Sequence, residues 1–129
     1  MGVIGDRLGF QVFAGVRRQA DAEALRQAAS PRLVPLFLEV TDPEQVSAAA
    51  AQVAEQGQGN GLTGLVNNAG IAVAGPLEFI LPQDLQRQLD VNVVGQLRVT
   101  QAVLPLLRQG RGRIVNISSI GSPSLAARR

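Results

Sequence analysis

The sequence predicts an α/β fold, a doubly wound parallel sheet forming a single domain over residues 1–129. Three observations predict it: apolar runs alternate with helical patterns, each run is almost continuously aliphatic, and aromatic residues make up only 3% of the chain. Continuous aliphatic runs suit strands covered on both faces, whereas a half-exposed antiparallel sheet would alternate apolar and polar residues. With 46% hydrophobic residues and so few aromatics, the core must be built from Val, Leu, Ile and Ala. No composition shift or repeat divides the chain.

Residues 1–10 read as the end of a helix capped by Gly9. Gln11 to Val16 is the first strand, followed by Arg17 and Arg18 and by a helix expected to open at Asp21 as N-cap, with Ala22 to Ala29 behind it. Leu33 to Val40 is the second strand. Asp42, Pro43 and Gln45 then supply a helix start: a cap, a proline at the first helical position, and a glutamine three residues after the cap. Leu62 to Val66 is the third strand and runs into the loop Asn67 to Gly70. A long helix is expected from Pro82 to about Leu107, with Leu85, Leu89, Val93 and Leu97 on one core-facing stripe that also carries Asn92. Arg113 to Ile117 is the last strand.

Pro35 has no N–H to give to a ladder, so its strand belongs at a sheet edge. In the doubly wound order 3-2-1-4-5-6 that edge strand is the third, which makes Gln11 to Val16 the second and leaves the first unsupplied. Residues 1–10 are too few for a strand and a crossover. The sheet is therefore expected to be incomplete, lacking its first and its C-terminal strands. About five buried aliphatic side chains on a central strand contribute roughly 7 to 15 kcal/mol, comparable to the 5 to 15 kcal/mol that typically separates a domain from its unfolded state. The isolated chain is accordingly expected to be marginally stable.

Composition also excludes several functions. The pI near 11.0 reflects twelve arginines with no weaker base, since the net charge is only +2. Those arginines are scattered, as at Arg26, Arg87 and Arg98, without the clustered stripe of a nucleic-acid binder. Without Cys or His there is no disulfide, thiolate nucleophile or ordinary zinc ligand, so no metal site is expected. No apolar run approaches the roughly 18 residues of a membrane span, and the chain reads as soluble and cytoplasmic. With no His, Cys, Tyr or Lys, proton transfer near neutral pH is left to carboxylates.

The loop Asn67-Asn68-Ala69-Gly70 lies at the carboxyl end of a buried strand, where open α/β sheets bind ligands and small residues let a flat cofactor approach. By itself it is equally an Asn/Gly turn. Together with Asn92 in Leu89-Asp90-Val91-Asn92-Val93-Val94-Gly95 and with Arg113-Ile114-Val115-Asn116-Ile117-Ser118-Ser119, it resembles three successive signatures of the short-chain dehydrogenase/reductase family. The resemblance covers about residues 8–121, and the wording around Gly9 to Arg17 and Leu104 to Gly121 is similar to the retinol and hydroxysteroid dehydrogenase-like branch.

The resemblance implies a Rossmann-like fold and assigns roles to matching positions. Asn68, Ala69 and Gly70 would line the adenosine side of a nicotinamide cofactor. Glu39, where the family usually has Asp, and Val40 would meet the adenine. Asn92 would be the catalytic asparagine that holds a relay water, and Ser119 the catalytic serine that bonds the substrate oxygen, with Ser118 pointing the other way by strand alternation. At the turn after the second strand the family discriminates cofactors, and Arg17 there favours NADP(H) over NAD(H) through charge-assisted bonds to a 2′-phosphate.

Two parts of the family's machinery are missing from this sequence. It holds neither the Tyr that donates the proton nor the Lys that supports it, and Gly2, Gly5 and Gly9 do not have the spacing of the pyrophosphate-binding turn. The tail Pro123 to Arg129 also departs from the family's pattern. The chain is therefore expected to be a fragment of an oxidoreductase that would transfer hydride between NAD(P)(H) and an alcohol or carbonyl substrate, and to be inactive alone. A non-catalytic nucleotide-binding or dimerisation module, self-associating through the helix 82–107, is the other reading.

Overall fold

A computed structural model describes residues 2–119. Helix α1 (Gly2–Arg7) leads into strand β1 (Val12–Val16), helix α2 (Gln19–Ala28), strand β2 (Leu33–Phe37) and helix α3 (Pro43–Gln56). Strand β3 (Gly64–Asn67) follows, then a 3₁₀ turn at Leu77–Phe79, helix α4 (Pro82–Leu89), a π-helical turn at Asp90–Gly95, helix α5 (Gln96–Gln109) and strand β4 (Arg113–Asn116). All four strands lie where aliphatic runs were read, each one to three residues shorter.

The strands form two separate two-stranded parallel sheets, β1 with β2 and β3 with β4. Pro35 stands opposite Ala14, and β2 has no other neighbour among the described residues, so the proline faces an open edge as its missing N–H requires. Helices hold the two half-sheets together: α3 packs on β2 and on α5, and α5 packs on β3. Their inward side chains, Val46 and Val53 on α3 and Val103 and Leu107 on α5, are buried. No large side chain is fully buried among the described residues, and every residue of β4 is exposed. That is the burial expected of a sheet without its central strand.

Helix starts follow their local chemistry. Asp42 caps α3, accepting from Glu44 N at 2.9 Å and Gln45 N at 3.3 Å, with Pro43 in the first turn. Helix α2 begins at Gln19, two residues before the expected cap. Asp21 instead sits in the first turn, where it receives a bidentate pair from Arg18 at 2.8 and 3.0 Å. Arg18 is the N-cap residue and makes no side-chain cap bond, and the pair fastens its side chain to the first turn.

Asp6 ties α1 to the loop before β2. Its buried carboxylate accepts from the Ser30 amide at 2.9 Å and from the Ser30 hydroxyl, and the Arg32 guanidinium lies 3.7 Å away. The two Ser30 bonds, helped by Arg32 and Arg7 against the cost of desolvation, hold this carboxyl below the usual aspartate range. A lowered value stabilises the fold fully above the ordinary aspartate pKa of about 3.9, and the contribution is lost as the pH falls from there through the lowered value. Protection of the Ser30 amide against hydrogen exchange should therefore be constant from pH 7 to 5 and fall on further acidification. In Asp6→Asn it should be low and independent of pH; unchanged protection in that variant would remove Asp6 from this role.

Candidate functional site

The carboxyl ends of β1, β2 and β3 carry most of the sequence-predicted site. At the end of β3 the side chain of Asn67 is buried, its Nδ2 donating to Thr100 Oγ1 at 3.1 Å and Asn116 Oδ1 at 2.9 Å. These bonds tie β3 to β4 and α5 where the chain turns into the loop. Beyond it Asn68, Ala69 and Gly70 are exposed. A Cβ on Gly70 would lie 3.4 Å from Asn92 Oδ1, so the loop rests against that amide.

Asn92 holds the loop from the other side. Its Oδ1 accepts from Ile71 N and its Nδ2 donates to Ile71 O, both at 2.8 Å, which pairs the amide with one residue's backbone as a strand neighbour would. One turn away Gln88 Oε1 accepts from Val73 N at 2.8 Å. The side chain of Asn92 thus positions residues 71–73, and through them Asn68 to Gly70.

The π turn Asp90–Gly95 makes this possible and corrects the expected helix face. A π turn inserts an extra residue and shifts the phase of everything after it. The buried positions are Val91, Gly95, Val103 and Leu107, whereas Leu85, Leu89, Val93 and Leu97 are 43–58% exposed. The predicted core stripe is an open apolar face, and half-buried Asn92 stands apart from it. Gly95 allows the close approach on the buried side, where a Cβ would fall 2.6 Å from Val40 Cγ2. Val40 is buried, and its carbonyl accepts from Arg98 Nη1 at 2.6 Å.

Glu39 follows β2, beside the end of β1. Its Oε1 accepts from Thr41 N at 3.3 Å, and its Oε2 lies 3.9 Å from Arg17 Nη1. The Arg17 side chain is 62% exposed, so the pair is weak and a competing anion can take the guanidinium. Arg17, Glu39 and Ile71 line one open cavity of about 350 Å³ together with Thr41, Arg87 and Asp90. That size lies at the small end of ligand pockets and fits part of a dinucleotide. The donor set suits a nucleotide: cations for phosphate, a carboxylate for an amine or hydroxyl, and a small-residue loop beside them.

Sequence reading missed Thr41, Arg87 and Asp90 as cavity residues. Arg87 carries no local signal, because its place depends on α4 coming near Glu39 and Thr41, far away in the sequence. Gly95 could have been found, since a glycine inside a helical pattern points to close packing. Ser119 is exposed and lies three residues beyond the end of β4, as Ser118 lies two beyond, so strand alternation does not decide between them. The departing tail from Pro123 lies outside the described residues.

The sequence pattern of the short chain dehydrogenases matches residues 6–127. Retinol dehydrogenase 5 of Mus musculus is 48% identical over 116 residues, which are 89% of this chain and 36% of that protein. The chain thus spans little more than a third of the relatives it matches. Among solved structures, serine dehydrogenase from Escherichia coli superposes with a TM-score of 0.80 at 29% identity, over 92% of this chain and 54% of that one. NADPH-bound carbonyl reductase from chicken fatty liver superposes with a TM-score of 0.76 at 38% identity, over 84% of this chain and 48% of that one. The chain belongs to the short chain dehydrogenase family.

Proposed function

We propose that these residues form the adenosine half of a nicotinamide-nucleotide site. The whole protein would be an oxidoreductase that transfers hydride between NADP(H), in preference to NAD(H), and an alcohol or carbonyl substrate. The observation that carries the reading is the one cavity shared by Arg17, Glu39 and Ile71, with Asn92 holding the Ile71 backbone directly after the loop Asn68 to Gly70. Arg17 would hold the 2′-phosphate, Glu39 and Val40 would meet the adenine, and Asn68, Ala69 and Gly70 would let the ribose and ring approach the backbone. The family's cofactor chemistry and the NADPH-bound relative support the choice of ligand.

Asn92 and Ser119 remain the proposed catalytic positions. Within these 129 residues no Tyr or Lys is present to give a proton to the product oxygen, so this chain binds without turning over. The two halves of the cofactor should therefore behave differently. Titrated separately and followed by amide chemical shifts, 2′,5′-ADP should saturate and move Arg17, Glu39 and Asn68 to Gly70, whereas nicotinamide mononucleotide should move none of them. Equal effects of the two, or none from 2′,5′-ADP, would reject the adenosine assignment.

A further inference from the structure

Arg98 reaches the nucleotide site from behind. It stands three residues after Gly95, on the side of the helix that packs against Val40, and is half-buried there. Its Nη1 donates to the Val40 carbonyl at 2.6 Å, a contact that spans 58 positions of chain. That carbonyl and the Thr41 N–H belong to one trans peptide plane and point in opposite directions. Whatever holds the oxygen therefore aims the hydrogen.

The hydrogen is aimed at the carboxylate of Glu39. Thr41 N donates to Glu39 Oε1 at 3.3 Å, which is long for an N–H···O bond, so the contact depends on the plane being held. The guanidinium also polarises the peptide, drawing electrons toward the Val40 oxygen and making the Thr41 N–H a stronger donor. The rest of this turn is tied separately: Glu39 N donates to Gln45 Oε1 and Asp42 N to Glu39 O, both at 3.0 Å. Removing the Arg98 contact thus frees the plane without unmaking the turn.

The other oxygen of Glu39 faces Arg17. Oε2 lies 3.9 Å from Arg17 Nη1, beyond hydrogen-bond reach, so the two charges attract while the guanidinium keeps its donors open. The neighbouring pair Arg18 and Asp21 shows the closed alternative, two bonds at 2.8 and 3.0 Å. Glu39 differs in having its Oε1 engaged by Thr41 N.

We propose that Arg98 is a positioning residue for cofactor selection. By orienting the peptide between Val40 and Thr41 it keeps the Glu39 carboxylate from closing on Arg17, and so leaves that guanidinium open to a 2′-phosphate. This role rests on the nucleotide reading of the cavity. Arg98 does not line the cavity, so its effect passes through Glu39. Without Arg98, Glu39 releases Thr41 N and pairs with Arg17, and the phosphate must displace a carboxylate.

The test titrates 2′,5′-ADP and 5′-AMP calorimetrically into the 129-residue chain, so that the two ligands differ only in the 2′-phosphate. Arg98→Met and Arg98→Gln should each lower the ratio of the two affinities roughly fivefold, the worth of an exposed ion pair, and Arg98→Lys should restore most of it. In a Glu39→Gln background, which has no carboxylate to close on Arg17, the same Arg98 changes should leave the ratio within about twofold. The Thr41 amide should lose its exchange protection in Arg98→Met while α5 and the ladder between β1 and β2 keep theirs. A native preference for 2′,5′-ADP that survives both neutral Arg98 variants would overturn the role of Arg98 and leave the nucleotide reading standing. A ratio that falls equally with and without the Glu39 carboxylate would also overturn it, by assigning the effect to the charge of Arg98 itself. A native chain that binds neither nucleotide would reject the nucleotide reading and the proposal with it.

Discussion

Gly112→Val is expected to abolish the native association of β3, β4 and α5. A Cβ at Gly112 would land on the Leu62 carbonyl oxygen, 2.8 Å from Leu107 Cδ2 and 3.1 Å from the Thr63 carbonyl carbon. Neither side can give way. Gly112 N donates to Leu107 O at 2.7 Å, Leu62 N donates to Leu106 O at 2.8 Å, and the next pair, Arg113 N to Thr63 O, sets the register of the second half-sheet. Gly110 meets the same Leu62 backbone, and Gly61, at φ 71°, meets Gly110, so three glycines let two chain segments cross at backbone contact. Overpacking against backbone costs about 3 kcal/mol or more, a large share of any stability this core provides. Slow amide exchange in α5 and β3 should disappear in Gly112→Val, while α2 and the ladder between β1 and β2 keep theirs. Retained protection around Leu62 would show that the crossing is looser than described.

The second large effect is expected at Asn92. Asn92→Ala removes both bonds to Ile71 and leaves that residue's N–H and C=O without their partner. Two lost hydrogen bonds at a half-buried site cost about 2–4 kcal/mol together. Asn92→Asp should do little better, since a carboxylate still accepts from Ile71 N but is set against Ile71 O. Both variants should lose protection at Ile71 and Val73 and bind 2′,5′-ADP at least tenfold more weakly, because the loop Asn68 to Gly70 is no longer held. Wild-type protection at Ile71 in Asn92→Ala would mean that the loop is fixed by other contacts.

Much of this was legible in the sequence because it depends on local rules. Four aliphatic runs gave the strands, Asp42 with Pro43 and Gln45 gave the start of α3, Gly9 gave the end of α1, and one proline placed β2 at the edge. From that edge, strand order alone implied a gap between β1 and β3, and the sheet is divided there. What stayed hidden depends on long-range packing or on departures from a regular period. Asp21 looked like a cap, but Arg18 pairs with it from outside the helix. The stripe Leu85, Leu89, Val93 and Leu97 looked like a core face, but α4 buries none of its residues and the π turn shifts the phase of the positions after it. The cavity brings Arg17 from the turn after β1 and Arg87 from α4 together, seventy positions apart in the chain, and no spacing rule reaches that far.

The most direct test of the nucleotide reading is calorimetric titration of the purified chain with NADPH and with NADH, beside the same titrations of Arg17→Ala. The account predicts saturable NADPH binding, weaker NADH binding, and an Arg17→Ala variant in which the NADPH advantage disappears, a loss of about 1.5–3 kcal/mol for a charge-assisted contact. Equal binding of the two cofactors by the native chain, or an NADPH preference that survives Arg17→Ala, would contradict it.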